Sequence, residues 1–265
     1  MFVLIGYFIG GIGGAILFSI FSVIMNFGMY WFSDKIAISM SGGKEVNASD
    51  YPDLFYDVSE IAQRMQIKTP RIFVSPQMQP NAFATGRGPS NGVVCFTQGI
   101  LNLLNRDELR GVIAHEIAHI KNRDVLIATI AATIAGVISS IAQIGIFFSS
   151  SDEDRNPVVS LLLILFAPIA ATLVQLAISR SREYWADEVA ARTLGTGEGL
   201  SNALLKIENS VRQMPEMEVN PSLSSLYIQN PLKGEGILQL FSTHPLTKNR
   251  IQRLKEVKFT NIQLN

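Results

Sequence analysis

The sequence predicts a mainly α-helical membrane protein, in which apolar transmembrane helices alternate with a soluble α+β region that carries a small β-sheet. Two observations lead to this. Of the 265 residues 48% are hydrophobic and only 17% are charged, against about 25% charged in a typical soluble globular domain. The apolar residues are also gathered into three long runs, separated by segments of amphipathic composition. The 22 basic and 22 acidic residues cancel, so there is no global positive field to recruit nucleic acid, and none is expected as a partner. Cys95 is the only cysteine, which excludes an intramolecular disulfide and gives no sign of a cysteine-based metal site. It reads as a small buried apolar residue in a strand.

The first run, residues 1–33, contains no charged residue and forms an N-terminal transmembrane region. A cleaved signal peptide fits it poorly, because no basic segment opens it and no small-residue cleavage site precedes Tyr30, Trp31 and Phe32. Those aromatics, followed by Asp34 and Lys35, resemble an interfacial belt where a helix leaves the bilayer. Gly10, Gly11, Gly13 and Gly14 interrupt the run, either as a tight turn or as a small-residue packing face. As a turn they leave too few residues ahead of them to span.

Residues 34–124 read as the first soluble part. Ser49 and Asp50 are placed to cap a helix whose apolar positions Leu54, Val58, Ile61 and Met65 keep helical spacing. Three short β-like runs follow, Arg71 to Val74, Ala82 to Thr85 and Val93 to Thr97, divided by Pro, Asn and Gly. Asn105 then precedes Glu108 by three residues, the pattern of a reciprocal helix cap.

Residues 125–179 read as a transmembrane hairpin. Val125 to Phe148 and Pro157 to Ile178 are each long enough, at about 1.5 Å per residue, to cross a roughly 30 Å hydrocarbon core. Between them Asp152, Glu153 and Asp154 outnumber Arg155, while Lys121, Arg123, Arg180 and Arg182 flank the outer ends. Basic flanks mark the cytoplasmic side, so the acidic tip faces outward. Residues 180–265 are amphipathic again, with helical patterns around Leu200 to Val211 and Ile251 to Leu254. Met214 to Gly236, rich in Pro, Asn, Ser and Gly, reads as a loop or mobile lid.

His115, Glu116, Ile117, Ala118 and His119 spell HEIAH. Histidines four apart project from one face of a helix, within reach of one Zn²⁺. Glu116 adjoins the first ligand, where it can take a proton from a water whose pKa the metal lowers to about 7. This is the arrangement of a zincin-like metalloprotease domain. A catalytic zinc needs a third protein ligand, and no cysteine pair or nearby histidine supplies it. A carboxylate must, with Asp124, Glu183, Asp187 and Glu188 as candidates. Glu183 and Asp187 stand four apart, so one helical face offers one carboxylate for the metal and one to steady a ligand histidine. Paired to Arg180 and Arg182, they could equally be ordinary helix charge.

HEIAH followed by Lys121 to Asp124 (KNRD), the apolar hairpin and Ile178 to Asp187 (ISRSREYWAD) resembles the HtpX-type membrane zinc metalloproteases, relatives of the prenyl-protein endopeptidases. Asn81 to Gly86 (NAFATG), Thr243 to Pro245 (THP) and Tyr30 to Lys35 (YWFSDK) match further segments of that family in the expected order. The resemblance covers nearly the whole chain. It implies His115, His119 and Glu183 as ligands of one zinc per subunit and Glu116 as the catalytic residue. It also implies a multi-pass plasma-membrane protein with a cytoplasm-facing active site, acting on damaged or misfolded membrane proteins. Members usually carry a complete span ahead of the Gly-rich turn, whereas only Phe2 to Ile9 precede it here.

Two rival readings weigh less. An intramembrane protease would bury Arg106, Asp107, Glu108, Arg110, Lys121 and Arg123 around the motif, at a cost of at least a few kcal/mol each. A non-catalytic scaffold or transporter would carry ionisable groups in its spans, where only Gln143 and Gln175 stand out. Two further roles are expected. The β-like segment at Asn81 and Ala82, or the one at Val93 to Thr97, would offer a strand edge to the substrate backbone. His244, which the resemblance places beside the metal, would donate an N–H to the oxyanion of the tetrahedral intermediate.

Overall fold

The computed structural model describes residues 2–148, 157–213 and 245–258. Its elements run α1 (Phe2–Trp31), α2 (Ser33–Ser41), β1 (Lys44–Glu45), α3 (Pro52–Arg64), β2 (Arg71–Ser75), β3 (Ala82–Gly86), β4 (Gly92–Thr97), α4 (Gln98–Leu103), α5 (Arg106–Lys121), α6 (Asp124–Phe148), α7 (Pro157–Leu194), α8 (Glu198–Gln213) and α9 (Thr247–Glu256). The chain divides into two compact units. One comprises Met1–Trp31 and Leu126–Ile178, the other Phe32–Val125 and Ser179–Asn265.

In the first unit, α1 is broken at Gly10 and Gly11, where Gly11 takes a φ of 58° that favours glycine. Beyond that break Gly6 lies against the backbone of Gly14, so closely that a Cβ on either would collide with the other's carbonyl oxygen. The glycine cluster is therefore both a turn and a packing face. Phe8, Ile12, Ile16, Leu17, Ile20 and Ile24 stay exposed, as residues facing lipid do. Among the described residues Ile5–Trp31 is the one helix long and apolar enough, by length and composition, to cross a membrane. The acidic tip at Asp152 to Arg155 and the segment Met214 to Gly236 lie outside the described residues.

The second unit is built on a four-stranded mixed sheet of order β1-β2-β4-β3. β2 and β4 pair in parallel, with Phe73 opposite Cys95, while β3 pairs antiparallel to β4, with Phe83 opposite Cys95. β4 is central and buried throughout, and its side chains alternate between two cores. Val94 and Phe96 join Ile61 of α3, Ile113 and Ile117 of α5 and Leu204 of α8. Val93 and Cys95 join Phe73, Phe83 and Ala37 of α2 on the other face. Burial raises the Cys95 thiol to about 11, against a hydrogen bond with Ser41 that lowers it, so the thiol is inert at neutral pH.

The cap of α3 differs from expectation. Tyr51 holds the N-cap position without a side-chain bond and Pro52 opens the first turn, while Asp50 accepts from the Asn47 N–H instead. A proline at the first helical turn needs no N–H partner, and it moves the N-cap one residue beyond Asp50. α2 and β1 carry no periodic signal long enough to be read from sequence. α7 continues from the apolar run into the polar segment without a break.

Candidate metal centre

α5 begins at a complete reciprocal cap: Asn105 Oδ1 accepts from the Glu108 N–H at 3.0 Å, and Glu108 Oε2 accepts from the Asn105 N–H at 2.9 Å. Lys206 of α8 pairs with the same Glu108 oxygen at 2.8 Å. Gly111, one turn before His115, allows the backbone of α8 to approach, because a Cβ there would come within 2.5 Å of the Leu200 nitrogen. On the far side Asp57 of α3, 1% exposed, accepts two bonds from Arg106 at 3.1 Å each and a further one from Arg110. Arg106, Glu108 and Arg110 of the motif helix are thus paired within this unit.

His115 and His119 present their Nε2 atoms 3.1 Å apart. From α7, Glu183 brings Oε2 to 3.7 Å from His115 Nε2 and Oε1 to 3.4 Å from His119 Nε2. One ligand atom from each of the three residues falls within 4.8 Å of the others, a group able to hold one metal ion. The second nitrogen of each ring is turned to an aspartate: His115 Nδ1 to Asp187 Oδ1 at 3.0 Å, His119 Nδ1 to Asp124 Oδ2 at 2.6 Å. Carboxylates bonded in this way fix the tautomer and aim Nε2 at a metal. The two Nε2 atoms are thereby left facing each other and Glu183.

Burial by itself would lower the His119 pKa. The Asp124 hydrogen bond and the charges of Glu183 and Glu116 override it and push His119 up to about 9. The same carboxylate charges favour a cation at this point, and the two Nε2 atoms and the Glu183 carboxylate converge on it, which is how this donor set fits a divalent metal.

Arg250 of α9, fully buried, closes the back of the site. Its Nε and Nη2 donate to Asp187 at 2.8 and 2.6 Å, and its Nη1 lies 3.4 Å from Glu183 Oε2. Burial raises the Asp187 pKa, but the charge and hydrogen bonds of Arg250 outweigh it and hold the carboxyl at about 2. Arg182 pairs with Asp124, at 2.5 Å, rather than with Glu183 or Asp187.

Among the sequence candidates, then, His115, His119 and Glu183 converge, Asp187 backs His115, and Asp124 backs His119. Glu188 pairs with Arg192 at 2.8 Å instead. Glu116 is buried beside this group, and its charge bears on both His119 and Arg250. His244 lies outside the described residues. Asn81 sits buried at the start of β3, its N–H donating to Thr97 Oγ1 and its carbonyl accepting the Thr97 N–H, both at 2.9 Å. That bond sets the ladder, so Ala82, Ala84 and Gly86 turn their backbone polar groups away from β4. Among the described residues β3 is an edge strand. A small pocket lined by Ala84, Thr85, Gly86, His119 and Asp124 lies alongside. Arg250 escaped the sequence reading altogether, and only its place six positions after His244 could have pointed to it.

The family model described as Peptidase family M48 matches residues 49–258. A protein named Protease HtpX homolog from Pelotomaculum thermopropionicum is 52% identical over 260 residues, covering 95% of this chain and 92% of that protein. Proteins of the same name from Aquifex aeolicus and Pyrococcus furiosus are 50% and 49% identical, over 96% of this chain and 87% and 90% of theirs. The crystal structure of S. mikatae Ste24p shares the fold at a TM-score of 0.58 and 19% identity; the alignment covers 95% of this chain and 60% of Ste24p.

Proposed function

We propose, for a chain that belongs to peptidase family M48 and is a membrane metalloprotease of the HtpX kind, that it is a zinc endopeptidase with one ion per subunit held by His115, His119 and Glu183. The convergence of those three donors, each histidine backed by an aspartate, carries the reading. Two imidazoles, one carboxylate and room for a fourth ligand suit zinc in a catalytic site. When bound, zinc polarises the scissile carbonyl and lowers the pKa of the attacking water to about 7.

The chain's own residues do the rest. Glu116, buried next to His115, takes the proton of the attacking water and passes it to the leaving amine. Asp187 holds His115 in register. The open side of β3, near Asn81 and Ala82, pairs with an extended substrate so that the peptide bond to be cut lies over the metal ligands. His244 donates to the oxyanion. Its support is its position six residues before Arg250, whose side chain reaches both His115 and Glu183.

The protein is multi-pass in the plasma membrane, with its active site toward the cytoplasm; the apolar runs and their basic flanks support this topology. Its substrates are misfolded or damaged membrane proteins. Support comes from anchoring: a peptidase unit joined to apolar helices reaches chains close to the bilayer. Glu116→Gln tests the assignment. It should retain one zinc per chain while hydrolysis of a reporter protein falls by roughly 10² to 10⁴-fold. Zinc lost with Glu116 replaced, or turnover preserved, would remove Glu116 as the base.

A further inference from the structure

We propose that Asp124 and Arg182 form a positioning pair for His119, one that fixes the direction of its Nε2 toward the metal. The inference rests on the reading of His119 as a metal ligand. His119 Nδ1 donates to Asp124 Oδ2 at 2.6 Å, and Arg182 donates to the other oxygen of the same carboxylate, Oδ1, at 2.5 Å. The Arg182 guanidinium is fixed in turn over the Trp185 ring, 5.0 Å from its centroid. The arrangement repeats, with different residues and from a different helix, the chain Arg250–Asp187–His115. Each ligand ring therefore has a carboxylate at Nδ1, and each carboxylate has a guanidinium.

The second guanidinium is needed for a physical reason. An imidazole swings its Nε2 about one side-chain torsion, and a carboxylate at Nδ1 stops the swing only if the carboxylate is itself held. Asp124 is the first residue of α6. There its oxygens are free to turn toward the unbonded N–H groups of the helix's own first turn. Arg182 prevents this by holding Oδ1 toward α7, leaving Oδ2 for His119. The same bond joins Asp124, at the start of α6, to Arg182 of α7, so residues of both helices set the direction of His119 Nε2.

The test uses the full chain in detergent and reads zinc affinity by competition with a chromophoric chelator, together with the visible absorption bands of the cobalt-substituted protein. Asp124→Asn should weaken zinc binding by roughly 10 to 100-fold and shift the cobalt bands. Arg182→Gln should do the same to a lesser degree, Arg182→Lys should recover part of it, and the double variant Asp124→Asn/Arg182→Gln should be no worse than Asp124→Asn alone. Arg106→Gln, which breaks the pair with Asp57, serves as a control that lowers stability without moving the bands.

Wild-type affinity and bands in Asp124→Asn would overturn the proposal, and so would additive losses in the double variant. If Asp124→Asn does not fold, the Arg182 variants decide by the same criteria. His119→Ala separates the two layers. Loss of metal there, with none lost in Asp124→Asn, sinks the pair alone, and metal retained there sinks the ligand assignment as well.

Discussion

Arg250→Ala should destabilise the metal-free protein by about 3–5 kcal/mol, the usual cost of removing one partner from a buried ion pair. The guanidinium is fully buried, and it faces Asp187, Glu183 and His115. Its loss leaves the Asp187 carboxylate, 2% exposed, without its two strongest hydrogen bonds. For a folded unit of roughly 150–250 residues each kcal/mol shifts Tm by about 2–4 °C, so a drop of roughly 6–20 °C is expected by circular dichroism. Arg250→Met, which keeps the volume and loses the charge, should fall nearly as far, whereas Arg250→Met/Asp187→Asn should recover much of the loss. A pH signature accompanies this. Arg250 holds Asp187 at about 2, below its ordinary 3.8, so the pair's contribution is present above pH 3.8 and lost as pH falls through 2. Without Arg250, burial raises the Asp187 pKa, the variant protonates first, and the gap to wild type narrows toward acid pH. A gap under about 1 kcal/mol at neutral pH, or one that does not change with pH, would mean that Arg250 does not stabilise the Asp187 carboxylate.

Glu183→Gln should lose both metal and hydrolysis, while Asp187→Asn should weaken zinc binding by about 10 to 100-fold, both read by equilibrium dialysis; a larger loss from Asp187→Asn would reverse the two roles. His119 is held at about 9 in the metal-free protein, so zinc binding at neutral pH should release about one proton from it, measurable by calorimetry in buffers of different ionisation enthalpy. Because the raised pKa favours the cationic ring, apparent affinity should rise roughly tenfold per pH unit up to about 9 and then level off, and a flat profile would contradict the raised pKa of His119. Gly111→Ala should push α8 away from the motif helix and cost roughly 1–3 kcal/mol in chemical denaturation, as overpacking does. An unchanged midpoint would mean that the two backbones are not in close contact.

Features that depend on neighbours a few residues apart are legible in the sequence. HEIAH puts both imidazoles on one face of α5 because a helix repeats every 3.6 residues, and the Asn105/Glu108 cap starts that helix because both partners lie within its first turn. The three β runs could be read from their composition and punctuation, and each lies within a strand of the sheet. Four spaced carboxylates could be named as possible partners for the motif. Their spacing alone could not divide the roles among them, because Asp124 opens α6 while Glu183, Asp187 and Glu188 follow one another on α7, and nothing local says which of them meets the motif.

Which carboxylate faces which ring depends on long-range packing. Asp187 turns to His115 because Arg250, 63 positions along the chain, holds it there, and Asp124 turns to His119 because Arg182, 58 positions along, holds its other oxygen. The same holds for Asp57, which anchors the motif helix from 49 and 53 positions away, and for the approach of α8 at Gly111. No periodicity connects such residues. A buried charge is stable only beside its counter-charge, and the path of the chain through space determines which one it meets.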